Sequence, residues 1–203
     1  MNRQGGLMSK QCVLISVRPQ WCELIANGKK TIEVRKSRPK LETPFKCYIY
    51  CTQDKEHTLF KDWIDPPFVT KEYNIMNGKG VKNVFADHRP WGNANGKVIG
   101  EFVCDKMYGI YYSMYPHDPL VFEEIGTLHR PDLQEKTCLS EIEIDDYLSG
   151  NNGYGWHISD LKIYDNPKEL SEFTNLHKAG DWERSKKIER PPMSWCYVEE
   201  EQS

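Results

Sequence analysis

The beginning of the chain shows three hydrophobic patterns in succession. Residues 13–17 are almost continuously apolar, which is typical of a strand buried on at least one face. Pro19 suits the first position of a helix, and Gly28 follows the last residue at helical spacing, so a short helix is predicted between them. From Thr31 to Arg35 apolar and polar residues alternate, which predicts a second strand with two unlike faces.

Short strand patterns dominate the rest of the chain. Ser140 and Glu143 have capping-box spacing, which predicts a helix from there to about Leu148, ended by Gly150. The acidic run 135–146 is interpreted as a solvated helix face. Asn166–Pro167 is predicted to break the strand before it, and the final strand follows Pro192. The strand patterns lie at 45–51, 97–104, 105–112, 156–159, 161–164 and 194–199. Together these elements predict an α+β, mainly β fold.

Charge is concentrated in the segment that follows the first helix. The 203-residue chain has a formal net charge of −3, yet residues 29–40 contain many basic residues and one acid, Glu33. Such a local surplus favours an anionic or polar partner. The alternation places Glu33 and Arg35 on one strand face, either as part of a site or as an ordinary surface ion pair. The basic residues are Lys29, Lys30, Arg35, Lys36, Arg38 and Lys40.

The sequence from Gly28 to Arg35 reads Gly-Lys-Lys-Thr-Ile-Glu-Val-Arg. It resembles the G-x-K-x-x-E-x-R signature of the ASCH domain, a branch of the PUA-like superfamily, with Lys30 and Glu33 at the inner signature positions. Further segments resemble the longer ASCH proteins of phages, prophages and Gram-positive bacteria, namely residues 15–19, 154–158, 163–168 and 190–198.

The resemblance implies a small curved β-barrel with a short helix at its mouth and peripheral helices and insertions. We expect one ASCH domain over residues 11–199, interrupted by an insertion at about 54–95. A flexible tail is expected at 1–10 and an acidic tail at 200–203. In the family, the cleft beside the helix is associated with RNA or with a single modified nucleobase.

Two classes of function are therefore considered, with a purely protein-interaction role as a third. The first is a binding module for single-stranded RNA or for a modified nucleobase or nucleoside, in which aromatic faces stack on bases and Lys and Arg hold phosphates. The candidate ligand-binding residues are Ser16, Arg18, Trp21, Lys30, Glu33, Arg35, Lys36, Trp156, His157, Ser194 and Trp195.

The second class is an enzyme acting on RNA or on a modified nucleoside. It would be a metal-independent ribonuclease or amidohydrolase in which Lys30 and Glu33 form an acid–base pair. Lys30 falls at the position of the lysine of the hydrolytic relatives. Glu33 stands where those relatives carry a nucleophilic threonine, and a carboxylate cannot replace a hydroxyl in that route.

The cysteines and the apolar runs limit the remaining possibilities. Seven cysteines, an odd number mostly within strand patterns, indicate reduced thiols and a cytoplasmic protein. Cys47 and Cys51 would be roughly 13 Å apart on one strand, too far to share a zinc ion. We therefore expect no metal and no cofactor. No apolar run is long enough for a membrane span, and a monomer is expected.

Overall fold

The computed structural model describes residues 11–54, 94–112, 120–124, 130–176 and 186–200. The expected tail at 1–10, most of the expected insertion at 54–95, and all but Glu200 of the acidic tail lie outside the described residues. In chain order the described elements are β1 (Gln11–Val17), α1 (Pro19–Ala26), β2 (Ile32–Arg35), β3 (Phe45–Cys51), β4 (Lys97–Cys104), β5 (Met107–Tyr112), β6 (Leu120–Glu124), α2 (Arg130–Thr137), α3 (Glu141–Leu148), β7 (Gly153–His157), β8 (Ser159–Glu169), a 3₁₀ turn (Leu170–Glu172), β9 (Thr174–Leu176), β10 (Lys186–Lys187) and β11 (Trp195–Glu199).

The described strands form two sheets. The larger has the order β10-β9-β11-β1-β3-β4-β8, and the smaller has the order β2-β7-β5-β6. In the larger sheet β1 pairs with β3 in parallel and with β11 in the antiparallel direction, so the two ends of the described chain lie side by side. These sheets confirm the predicted α+β, mainly β fold. Within the described residues, no helix has the length and apolar character needed to cross a membrane.

The continuous apolar pattern of β1 is explained by cores on both of its faces. Val13, Ile15 and Val17 belong to the largest cluster of buried side chains. Cys12 and Leu14, which point the other way, belong to a second cluster. A strand that packs on both sides is expected to lose the polar half of its alternation. β1 therefore forms the centre of the fold.

Strand β2 also has two buried faces, but only one of them is apolar. Ile32 and Val34 pack with Ile144 and Leu148 of α3 in a third buried cluster. The remaining β2 residues, Glu33 and Arg35, are buried as well. The predicted alternation of β2 is confirmed, and the polar side chains on its second face are enclosed by protein.

The predicted helix boundaries are confirmed by the backbone. α1 starts at Pro19, and Gly28, just beyond its end, adopts a φ of +74°, a conformation that favours glycine. Ser140 and Glu143 form the predicted capping box at the start of α3. That helix ends at Ser149 and Gly150, both with positive φ.

One predicted boundary is wrong: Asn166–Pro167 does not end a strand, because β8 continues to Glu169. Val98 and Gly100 of β4 pair with Lys168 and Ile163 of β8. The β4 residues are two positions apart and their β8 partners are five apart, so β8 carries extra residues at this point. Such a bulge accommodates a proline that has no N–H to donate to the ladder.

The capping box makes a measurable prediction. Ser140→Ala removes the acceptor for the Glu143 backbone N–H, and we expect it to lower the free energy of unfolding by about 1 kcal/mol in urea denaturation. Ser171→Ala, at an exposed position in the 3₁₀ turn, is the control and should change stability by less than about 0.5 kcal/mol.

The effect of Ser140→Ala should also depend on pH. Hydrogen bonds from the backbone and hydroxyl of Ser140 lower the pKa of Glu143 from its usual 4.5. The part of the stabilisation that comes from the Glu143 carboxylate is therefore complete above that usual pKa and is lost as the pH falls through the lowered value. A difference between Ser140→Ala and wild type that stays constant into acid would contradict this account of the box.

Candidate functional site

A cavity of about 730 Å³ lies where β1, α1, β2 and α3 meet the segment before β11. We call it the β2 cavity, because the polar face of β2 forms its floor. Its lining combines buried charges, two aromatic rings and an apolar rim, and includes candidate residues Ser16, Arg18, Trp21, Lys30, Glu33 and Arg35. The structure therefore brings six of the eleven candidate residues around one concave surface.

The floor of the β2 cavity holds three charged side chains in direct contact. The Glu33 carboxylate lies 2.9 Å from Arg35 Nη2 and 3.5 Å from Lys30 Nζ. Lys30 is 2% exposed, Glu33 is 6% exposed and Arg35 is 5% exposed. An ordinary surface ion pair would be largely solvated, so that interpretation of Glu33 and Arg35 is excluded.

Lys30 reaches this floor because of the turn that follows α1. Gly28 reverses the chain, and the backbone N–H groups of Lys29 and Lys30 both donate to the Leu24 carbonyl. The Lys30 ammonium then donates to the Thr137 carbonyl at 2.5 Å. Thr137 is the last residue of α2, and a cation is favoured there by the partial negative charge of the helix end.

Arg35 joins three parts of the chain. Its Nη2 donates to the Ser16 carbonyl at 2.8 Å, and its Nη1 donates to the Ser194 carbonyl at 3.2 Å. Ser16 in turn donates through Oγ to the Pro192 carbonyl at 2.6 Å. The guanidinium thus fixes β1, β2 and the segment before β11 around the cavity. Its Nε is buried without a hydrogen-bond partner among the described residues.

The charges of the β2 cavity balance overall but are unevenly placed. The buried floor has two cations and one carboxylate, and therefore a surplus of one positive charge. The outer lining has Arg18 together with the two exposed carboxylates Glu143 and Asp146. A ligand would therefore pass a slightly acidic rim before it meets a slightly basic floor.

Two aromatic rings line the cavity between the floor and the rim. The Lys30 ammonium lies 5.4 Å from the ring centroid of Trp21. Tyr147 is 40% exposed, and the Lys36 ammonium lies 5.4 Å from its centroid. Burial raises the pKa of Tyr147 above its usual 10, so its phenol keeps its proton at neutral pH and can donate a hydrogen bond. Met193 is fully exposed at the rim.

Several candidate residues lie elsewhere. Trp156 is 0% exposed and packs edge-to-face on Phe45, with ring centroids 5.8 Å apart, so the expectation that it stacks on a base is corrected. It pairs with Glu33 across β2 and β7, and its side chain joins the main core. Trp195 donates through Nε1 to Ser37 Oγ at 3.0 Å and does not line the cavity.

The other outlying candidates support or flank the site. His157 Nδ1 lies 2.6 Å from Asp105 Oδ1, and neither residue lines the β2 cavity. Ser194 contacts Arg35 and so supports the wall. Lys36 is exposed above Tyr147, at the edge of the cavity.

The basic residues between 29 and 40 do not share one surface. Lys30 and Arg35 are buried in ion pairs with Glu33, whereas Arg38 and Lys40 line a different cavity. Two of the six cations are therefore enclosed by protein and do not add to an exposed basic surface.

Three residues of α3 at the site were not identified from the sequence. Glu143, Asp146 and Tyr147 all line the β2 cavity. Their spacing of three and four residues places them on one side of a helix, which was the available signal. The acidic run was interpreted as a solvated face; most of its carboxylates are exposed, but two of them border the cavity.

Comparison with known proteins agrees with the signature. Residues 15–99, which include the end of β1 and all of α1, β2 and β3, match the model of the ASCH domain family. This stretch of the chain is therefore similar to the ASCH domain family. This confirms the resemblance inferred from Gly28, Lys30, Glu33 and Arg35. ASCH domains belong to a PUA-like family associated with RNA binding, which supports a nucleic-acid partner at a coarse level.

Three solved structures of ASCH from one bacterium were also matched. The crystal structure of ASCH from Zymomonas mobilis is 18% identical, with a TM-score of 0.48 over 91% of this chain and 85% of that chain. Two mutant forms of the Z. mobilis protein are 16% and 17% identical, each with a TM-score of 0.47 over 91% of this chain and 88% and 86% of theirs. No curated protein matches this chain.

The buried charges of the ASCH signature make a stability prediction. Glu33→Gln leaves Lys30 and Arg35 buried without a counter-charge, and we expect it to cost about 3–5 kcal/mol in urea unfolding. Lys30→Met should cost less, because the Glu33–Arg35 pair survives. The double variant, Lys30→Met/Glu33→Gln, should lower the free energy of unfolding by less than the sum of the two single losses. Removing one cation and one carboxylate leaves the floor with its original surplus of one positive charge.

Lys97→Met is the matched control for this series. It removes a lysine whose partner, Glu169, is largely exposed, and it should change stability by less than about 1 kcal/mol. A larger loss from Lys30→Met than from Glu33→Gln would mean that Glu33 is not the group that balances the floor.

Proposed function

We propose that this protein binds a nucleobase, from single-stranded RNA or a modified nucleoside, in the β2 cavity. The observation that carries the proposal is the buried Lys30–Glu33–Arg35 group, which closes a cavity flanked by two aromatic rings. Concave sites with a few fixed polar groups and apolar walls are typical of small-ligand recognition.

The charge distribution favours a neutral ring over a phosphate as the occupant. A phosphate entering the cavity would meet Glu143 and Asp146 at the rim, where like charges repel. A nucleobase has no net charge to be repelled and can present its polar edge to the floor. Its hydrogen-bonding groups can then meet fixed charges in a partly dry environment, where such bonds are stronger than in water.

The floor is matched to a base edge that carries a donor next to an acceptor. The Glu33 carboxylate has lone pairs beyond those that face Lys30 and Arg35, and it can accept from an exocyclic amine or a ring N–H. Glu and Asp accept in this way from the N4 amine of cytosine. The surplus positive charge of Lys30 and Arg35 suits a carbonyl oxygen on the same edge.

The walls supply stacking surfaces. Trp21 and Tyr147 both line the β2 cavity. Stacking of a base on an aromatic ring contributes about 1–3 kcal/mol. Met193, an exposed apolar side chain at the rim, can cover an edge of a bound ring.

Titration with nucleosides tests base binding. We expect cytidine-type nucleosides, which present an exocyclic amine, to bind more tightly than uridine in isothermal calorimetry. Tyr147→Ala should weaken binding by about 1–3 kcal/mol through lost stacking. Tyr111→Ala is the matched control, since Tyr111 is 39% exposed against 40% for Tyr147 and lies outside the cavity lining. Equal losses in the two variants would contradict base stacking on Tyr147.

Hydrolysis of acetylcytidine is expected to be absent. The position of the nucleophilic threonine in hydrolytic relatives holds Glu33, whose carboxylate is engaged by two cations. Mass spectrometry of the protein incubated with acetylcytidine and, separately, with RNA should show unchanged substrate. Turnover of either substrate that disappears in a folded Lys30→Met variant would replace the binding proposal with an enzymatic one.

A further inference from the structure

A second cavity, of about 760 Å³, lies beyond the end of β2. It is lined by residues 38–43 and by residues 105–107, and we call it the Arg38 cleft. Three exposed cations line it, Arg38, Lys40 and Lys106, together with the carboxylates of Glu42 and Asp105. Its described lining contains no aromatic side chain, unlike that of the β2 cavity.

The Asp105 carboxylate of the Arg38 cleft has a hydrogen-bond partner outside the cleft lining. Its Oδ1 lies 2.6 Å from His157 Nδ1. Burial opposes ionisation of Asp105, but the hydrogen bond and charge of His157 outweigh burial and lower the pKa of the carboxyl group. The carboxylate is therefore already engaged from within the protein, whereas the three cations are exposed at the cleft.

The two cavities are joined by one short stretch of chain. Arg35 lies in the floor of the β2 cavity, and Arg38 lines the cleft. Because the two residues are three positions apart in the sequence, their Cα atoms are at most about 10 Å apart. Between them, Lys36 lies over Tyr147 of the β2 cavity. The Arg38 guanidinium lies 5.8 Å from the ring centroid of Tyr154, which pairs with Arg35 across β2 and β7. Two cation–aromatic contacts, Lys36 with Tyr147 and Arg38 with Tyr154, therefore lie between the two cavities.

We propose that the Arg38 cleft binds a backbone phosphate of the nucleic-acid strand whose base occupies the β2 cavity. The inference rests on the proposed function. Recognition is then divided between two sites. The β2 cavity binds the base, and Arg38, Lys40 and Lys106 of the Arg38 cleft bind the phosphate of a neighbouring nucleotide. Phosphate contacts of this kind add affinity and fix the register of the strand without reading its sequence.

The chemistry of the cleft favours a phosphate over a second base. Arginine and lysine provide several N–H donors for phosphate oxygens, and charge-assisted bonds of this type are strong. The apolar residues of the cleft are Pro39, Leu41 and Met107, which offer no flat ring for stacking. The β2 cavity, by contrast, has acidic groups at its rim, which disfavour a phosphate there.

The test compares a nucleoside with a five-nucleotide single-stranded RNA that contains the same base. Binding is measured by calorimetry and fluorescence anisotropy at several salt concentrations. The variant is Arg38→Gln/Lys106→Gln, and the charge-matched control is Lys162→Gln/Lys186→Gln, at exposed positions outside both cavities.

We expect wild type to bind the oligonucleotide more tightly than the nucleoside. Arg38→Gln/Lys106→Gln should weaken oligonucleotide binding about tenfold or more, and should reduce the slope of log K against log salt by about 0.7 for one phosphate. Nucleoside binding should be unchanged in that variant, because both residues lie outside the β2 cavity. The control should leave both ligands within about twofold of wild type.

The two proposals fail in different ways. If no nucleoside binds to wild type, the proposal of base binding in the β2 cavity is wrong. The proposal of a phosphate site in the Arg38 cleft, which rests on it, is then wrong as well. If the nucleoside binds but the oligonucleotide binds no more tightly, the phosphate site is overturned. The same conclusion follows if Arg38→Gln/Lys106→Gln weakens oligonucleotide binding no more than the control does.

Discussion

The contact of one carboxylate with two buried cations is the constraint on which the cavity depends. Removing Lys30 and Arg35 from water is costly, and Glu33 supplies the charge that compensates for it. Once held in this way, Arg35 is positioned to bond Ser16 and Ser194, so the walls are fixed by the same group that forms the floor. The geometry of the cavity therefore follows from an electrostatic requirement in its interior.

Strand β2 can meet this requirement because its two faces are different. Ile32 and Val34 supply the apolar contacts with α3 that keep the strand in place. Glu33 and Arg35 then project together from the other face. Four residues thus combine a packing surface with a polar site, and a shift of register by one residue would exchange the two faces. The pairing of β2 with β7 sets that register.

Features governed by neighbours in sequence were predicted well. The start of α1 at Pro19, the reversal at Gly28 and the capping box at Ser140 all depend on local backbone chemistry. Features that depend on contacts between residues far apart in the sequence were not predicted. Trp156 was expected at the ligand, but its position opposite Glu33 in β7 and its burial in the core depend on a strand pairing that local patterns do not specify. The burial of Lys30 depends likewise on the end of α2, more than a hundred residues away.

The bonds that close the cavity also affect when it can form. Ser16 and Pro192 are 176 residues apart, and Arg35 and Ser194 are 159 residues apart. Contacts between such distant residues form late, because a long loop must close first. During synthesis the signature segment leaves the ribosome before the segment that precedes β11. Arg35 therefore gains its last hydrogen-bond partner, Ser194, only after that later segment has been made. Before those partners are present, burial of the two cations and the carboxylate would leave polar groups without hydrogen bonds, which is costly.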